Sequence, residues 1–157
     1  MKTDVEKWPQ VNLPGARLLM VISPYYRNVA DMVQRGAEAA AEAAEAKLDR
    51  VFVPGAFEVP AAIAHAAKTN AYDGFIGLGC VVRGETSHYD YVCGESARGI
   101  MDLTLQGLCI GYGILTVENL AQAEERADPA RGDKGGEATR AALAMIALKR
   151  QFEGAQK

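Results

Sequence analysis

The stretch Phe75-Ile76-Gly77-Leu78-Gly79-Cys80-Val81-Val82 holds no ionisable side chain other than one thiol. A strand that is apolar on both of its alternating sides must be covered on both faces, which is what helices packed above and below a parallel sheet provide. Ala16-Arg17-Leu18-Leu19-Met20-Val21-Ile22-Ser23 repeats the pattern and is stopped by Pro24. Between these runs, residues 28–47 are rich in Ala and Glu, with Val29, Met32, Val33 and Ala37 at helical spacing; this predicts a long surface helix. Glu38, Glu42 and Glu45 fall on its solvated side.

The same alternation runs through the rest of the chain. Val51-Phe52-Val53 predicts a short strand ended by Pro54-Gly55, and residues 59–68 an Ala-rich helix with Pro60 in its first turn and Asn70 beyond its end. After the 75–82 strand, residues 89–106 predict a helix closed by Gly107, residues 110–117 a fourth strand, and residues 119–126 a short helix. Asp128-Pro129-Ala130-Arg131-Gly132 interrupts the pattern before a last helix over 134–152. Strands alternating with helices through short connections imply right-handed crossovers. The expected fold is α/β: a three-layer α/β/α sandwich on a four-stranded parallel sheet in flavodoxin-like order. Residues 1–15 are polar, carry two prolines and end in Gly15; they read as an N-terminal arm, with residues 16–157 as a single domain.

With 157 residues and 49% hydrophobic content the chain can bury one proper core. A net charge of −3 argues against an electrostatic grip on nucleic acid or an anionic membrane. No apolar stretch approaches the roughly 20 residues that span a bilayer, and the N-terminus has no apolar signal core, so a cytoplasmic protein is expected. Cys80, Cys93 and Cys109 are too few and too scattered for a disulfide framework or a metal pattern and read as buried, reduced thiols. No phosphate-binding GxxxxGK[ST] loop is present, and no cofactor or metal is demanded.

In open α/β sheets ligands collect beyond the C-terminal ends of the strands. Four loops qualify and are expected to converge: residues 23–26, 54–58, 83–88 and 116–119. Tyr25, with Tyr26, offers a ring to a flat heterocycle, or ordinary loop packing. Ala56, Phe57 and Glu58 pair an aromatic with a carboxylate that either accepts hydrogen bonds from ligand hydroxyls or caps the helix it opens. Gly84, Glu85 and Thr86 form a turn whose backbone N–H groups, at the start of a helix, favour an anion; the Glu85 side chain then has to face away. His88 follows within the first turn of that helix, and an imidazole there can move a proton near neutral pH. His65, within an Ala-rich helix, reads as structural. Arg126, Arg131 and Lys134 flank the loop before the last helix and read as a phosphate clamp or as a solvated surface.

The strings VPGAFEVP at 53–60, GCVVRGETSHYDYVCGESARGI at 79–100, GILTVENLAQAEERA at 113–127 and GDKGGEA at 132–138 together closely resemble the 6,7-dimethyl-8-ribityllumazine synthase family over residues 16–152. The resemblance implies condensation of 5-amino-6-(D-ribitylamino)uracil with 3,4-dihydroxy-2-butanone 4-phosphate, without a cofactor, in the penultimate step of riboflavin biosynthesis. It places Tyr25 where the family stacks an aromatic on the substrate ring. It puts Ala56, Phe57 and Glu58 along the ribityl chain, Val81 and Val82 at the pyrimidine edge, and Gly84, Glu85 and Thr86 around the phosphate. His88 is the implied proton shuttle. Arg126 corresponds to a phosphate-binding arginine that reaches in from a neighbouring subunit, Tyr112 to an aromatic closing the pocket across that interface, and Lys134 to a lysine near the same site.

The resemblance further implies homopentamers whose sites are shared between subunits, with the N-terminal arm added to a neighbour's sheet. Members that build larger hollow shells commonly carry Gly-Thr-Lys-Ala-Gly before the last helix; here residues 128–132 read Asp-Pro-Ala-Arg-Gly. Pro129 fixes its own backbone angle and biases Asp128 toward extended conformations, so a free pentamer is expected. The rival readings are a non-catalytic flavin- or lumazine-binding oligomer, for which a phosphate site is superfluous, and a structural shell or carrier.

Overall fold

The structure, a computed structural model, describes residues 7–155. Four parallel strands, β1 (Arg17–Ile22), β2 (Lys47–Phe52), β3 (Gly74–Val82) and β4 (Ile110–Val117), pair in the order β2-β1-β3-β4. Helices α1 (Arg27–Ala43), α4 (Leu120–Ala127) and α5 (Lys134–Ala155) cover one face, α2 (Val59–Ala67) and α3 (His88–Leu105) the other, and a 3₁₀ turn spans Ala56–Glu58. The expected three-layer α/β/α sandwich is the one observed.

The alternation of strand side chains divides the core in two. Leu18, Met20, Ile22, Ile76 and Leu78 pack with Val33, Ala37, Ala142 and Leu143 on the α1/α5 side. Leu19, Val21 and Phe75 meet Val59, Ile63 and Ile100 on the α2/α3 side. Backbone approaches closely where small residues allow it: a Cβ on Gly111 of β4 would stand 2.6 Å from the carbonyl carbon of Ala138 in α5.

The first helix ends earlier, and the second strand starts earlier, than the sequence suggests. Glu45 adopts φ +59°, the N–H of Glu45 donates to the Glu42 carbonyl, and the N–H of Ala46 donates to the Ala41 carbonyl. These two bonds define a Schellman stop, which normally advertises itself by glycine at the left-handed position. Here glutamate occupies it, so composition alone runs the helix on to residue 47. β2 then begins at Lys47 with polar residues because it is an edge strand exposed along most of its length.

The segment before β1 only partly behaves as an arm. Residues 1–6 of the expected 1–15 arm lie outside the described residues. Val11 and Leu13 pack against the core, and the N–H groups of Leu13 and Gly15 donate to the carbonyls of Ala44 and Glu45. From Val11 onward the chain is therefore held on its own sheet and helices.

Strand lengths create the space for a site. β1 and β3 stay in register only to the pair Ile22 and Leu78, whereas β3 and β4 remain paired to Val82 and Val117. Gly79 to Val82 thus project beyond the end of β1. Phe75 and Arg83 donate their N–H groups to Cys109 and Val117 on the β4 side, so odd-numbered residues of β3 serve that ladder. The backbone groups of Cys80 and Val82 point to the other side, where β1 has already ended.

Candidate active site

A cavity of about 610 Å³ opens there, beyond the C-terminal ends of β1, β2 and β3. That volume lies within the range of small-molecule sites. Nine of the residues singled out in the sequence line it: Tyr25, Ala56, Phe57, Glu58, Val81, Val82, Gly84, Thr86 and His88. Three of the four expected loops converge on it. The fourth, residues 116–119, does not line it; Glu118 is instead held by the Arg83 guanidinium, because β4 lies on the far side of β3 from the space that β1 leaves free.

Each wall has a local cause. Tyr25 follows β1 and is 74% exposed, with its ring edge-to-face on Tyr26 at 5.1 Å between centroids. Phe57, 55% exposed, stands in the 3₁₀ turn that follows Gly55. Two large rings are thus left open to solvent at one cavity. Glu58 occupies the N-cap position of α2 but makes no side-chain capping bond, so the capping role open to it in the sequence is not the one it takes. Its carboxylate is left near Gly55, whose Cβ would stand 3.1 Å from Oε2.

On the opposite side, α3 begins at His88 without help from its own cap. Ser87 makes no side-chain capping bond, and the His88 N–H reaches Thr86 Oγ1 only at 3.4 Å. Among the described residues, none of the N–H groups of residues 84–87 donates to another protein group. Four consecutive free donors at the start of an 18-residue helix are the kind of array that favours an anion. A Cβ at Gly84 would touch no protein atom, so packing does not require glycine there. Glu85 does not line the cavity, as an anion site beside it demands.

The sequence reading passed over Cys80, Tyr89 and Val92 as lining residues. Val92 lies four residues past His88, on the same helical face, and that spacing was the available signal. Burial pushes the Cys80 thiol up to about 11, with Cys93 adding to the rise. Burial also raises the Tyr26 phenol, helped by Cys80 and Tyr25, and the Tyr89 phenol, helped by Cys93. These groups therefore stay protonated at neutral pH. Cys80 and Cys109 are buried and free as expected, whereas Cys93 is half-buried.

Tyr112, Arg126 and Lys134 lie away from this cavity. Tyr112 sits on edge strand β4, 40% exposed, its phenol raised by partial burial. Lys134 is paired with Glu137 at 2.9 Å and Arg131 with Asp128 at 3.1 Å. Among the described residues Arg126 has no carboxylate partner; its Nη1 donates to the Gln122 carbonyl at 3.2 Å. Of the three cations in this region, it is the one left available. Asp128 is extended, as a residue before proline should be, and accepts from the Ala130 N–H; that bond and Arg131 hold its carboxyl below the usual range.

The family model of 6,7-dimethyl-8-ribityllumazine synthase matches residues 15–150. Proteins of that name from Erythrobacter litoralis and Sphingopyxis alaskensis are 54% and 56% identical over 137 residues, covering 87% of this chain and 98% and 97% of their own. One from Bartonella tribocorum is 47% identical over 154 residues, 97% of each chain.

Proposed function

Since the chain belongs to the 6,7-dimethyl-8-ribityllumazine synthase family, we propose that the cavity beyond β1, β2 and β3 is where it carries out that reaction. The enzyme condenses 5-amino-6-(D-ribitylamino)uracil with 3,4-dihydroxy-2-butanone 4-phosphate to 6,7-dimethyl-8-ribityllumazine, phosphate and water. The observation that carries the assignment of the site is the meeting of stacking rings, a free carboxylate and four unpaired backbone donors in one cavity.

In this reading Tyr25 and Phe57 hold the pyrimidine ring, and the open backbone groups of β3's projecting end meet its polar edge. Glu58 accepts from ribityl hydroxyls. Residues 84–87 cradle the phosphate. The 5-amino group adds to the ketone and water leaves to give an imine; phosphate departs by elimination, the resulting enol tautomerises to a ketone, and the ribityl-bearing nitrogen adds to that carbonyl with loss of a second water to close the ring. His88 moves the protons, because it is the cavity side chain whose type exchanges them near neutral pH. Holding both substrates in register replaces a bimolecular encounter and supplies most of the remaining acceleration. No cofactor takes part in these steps.

We assign Tyr112, Arg126 and Lys134 to the site of an adjacent subunit in a cytoplasmic homopentamer. Their distance from the chain's own cavity, and the unpaired state of Arg126, support that assignment. Mixing the protein with both substrates and following lumazine fluorescence together with phosphate release tests the reading. Equal molar yields of the two products are expected. Tight riboflavin binding without turnover would replace the enzyme by a storage protein.

A further inference from the structure

Arg83 lies just outside the cavity, yet three of its neighbours come from elements that frame the phosphate-binding turn. Its Nε donates to Glu118 Oε2 at 2.8 Å, just past the end of β4. Its Nη1 lies 3.6 Å from Asp90 Oδ1 in the first turn of α3. The guanidinium carbon sits 4.2 Å from the centroid of the Tyr89 ring, which itself lines the cavity. Its backbone N–H closes the β3–β4 ladder on Val117 at 2.9 Å. One planar group thus links the residue after β4 to the first turn of α3.

Two further observations make this clamp more than a surface ion pair. The first turn of α3 lacks a capping bond from Ser87 and is tied to residues 86–87 by the Asp90 N–H donating to the Ser87 carbonyl and the long bond from the His88 N–H to Thr86 Oγ1, so contacts from outside the helix add to these in placing it. The anchor is itself fixed: the Glu118 N–H donates to Gln122 Oε1 at 2.8 Å, and the Gln122 N–H to Asn119 Oδ1 at 2.9 Å, at the start of α4. Ordinary exposed ion pairs contribute little because both partners are mobile. Here the backbone of one partner is pinned and the guanidinium rests on a ring. Hydrogen bonding to Glu118 and the neighbouring Asp90 carboxylate also hold the arginine in its charged form.

We propose that Arg83 is a positioning residue: by tying Glu118 to Tyr89 and Asp90 it sets the distance between the phosphate-cradling N–H groups and His88. This rests on the phosphate role given above to residues 84–87. A lysine cannot reproduce it, because a point charge on a flexible stem neither forks between two carboxylates nor lies flat on a ring.

The test compares Arg83→Met, Arg83→Lys and Glu118→Gln with the unaltered protein. Two readouts are needed: steady-state kinetics with each substrate varied, and binding of inorganic phosphate followed by phosphorus NMR. With the turn released, phosphate binding and use of the phosphorylated substrate should each weaken roughly ten- to a hundredfold in Arg83→Met, the scale expected of a small misplacement. The KM for the ribitylaminouracil should stay unchanged. Arg83→Lys should recover little of the loss, and Glu118→Gln should reproduce part of it. Full recovery in Arg83→Lys would reduce the role to charge attraction and overturn the proposal. An equal loss toward both substrates, or wild-type phosphate binding in Arg83→Met, would overturn it as well. Should Arg83→Met not fold, Glu118→Gln read against the same two measurements decides the matter. If the unaltered protein makes no lumazine, the functional reading fails by itself, while phosphate binding still judges the clamp.

Discussion

Gly135, in the first turn of α5, faces the backbone of α1, and replacing it with alanine measures how closely these helices must pack. The added Cβ would stand 2.7 Å from the carbonyl carbon of Val33 and 2.8 Å from its Cα, whereas non-bonded carbons rest at about 3.5–4.0 Å. The obstacle is backbone, so no rotamer change relieves it, and α5 must retreat by roughly 1 Å at that point. The core between α1 and α5 that the retreat would loosen includes Val33, Ala37, Ala138, Ala142 and Leu143, all buried. A gap of about 0.5–1 Å forfeits a quarter to a half of each dispersion contact, and overpacking in a close-packed core costs about 1–3 kcal/mol. At about 2–4 °C per kcal/mol for a chain of this size, the melting midpoint should fall by about 2–12 °C. Gly94→Ala is the matched control: it lies inside α3 with nothing within 4 Å of its Cβ, and alanine there should stabilise by up to about 1 kcal/mol through helix propensity. Thermal melts by circular dichroism at equal protein concentration decide it. If Gly135→Ala melts at or above the unaltered protein, or the two variants rank in the opposite order, the close-approach argument is wrong.

Turnover in His88→Ala should fall about 100- to 10,000-fold while remaining measurable, since general acid–base help is worth that much and positioning survives; unchanged turnover around neutral pH refutes the proton-shuttle role. Arg126→Met should raise the KM for the phosphorylated substrate by about tenfold or more, the scale of one charged hydrogen bond, and leave that for the pyrimidine alone, as steady-state kinetics with each substrate varied will read. Arg140→Met should cost about 3–5 kcal/mol in urea unfolding, because the Arg140–Asp133 pair at 3.2 Å is largely buried and Asp133 Oδ1 already has no partner among the described residues. The Cys80 thiol is raised from 9.0 to about 11 in the folded chain, so the folded state holds its proton after the unfolded one has lost it. That contribution to stability is intact below pH 9.0 and is lost as pH rises toward about 11; denaturant midpoints across that window should decline less steeply in Cys80→Ala.

How much of this was readable beforehand differs by element. The runs at 16–23 and 75–82 specified buried parallel strands because a strand apolar on both sides has few other places to go. The loops around Tyr25, Glu58 and His88 were legible as site candidates because topology sends the C-terminal ends of neighbouring parallel strands to one edge of the sheet. The start of β2 was hidden by Glu45, which takes a backbone angle that composition assigns to glycine. The loop at 116–119 looked equivalent to the other three, and it drops out of the cavity because β4 is shielded from it by β3.

The order of strands and helices, the family, and the residue types able to stack, accept, cradle and move protons were all set along the chain, since each depends on local periodicity or on short strings. Which of those residues share a cavity was decided by register: β1 stops at Ile22 while β3 continues to Val82 beside β4, and the mismatch opens the space. The bridge from Arg83 to Glu118 crosses 35 positions, and the need for glycine at 111 and 135 arises from helices that pass over them. Such demands come from surfaces meeting in three dimensions, and no local pattern carries them, because distance along the chain says nothing about which backbones will touch.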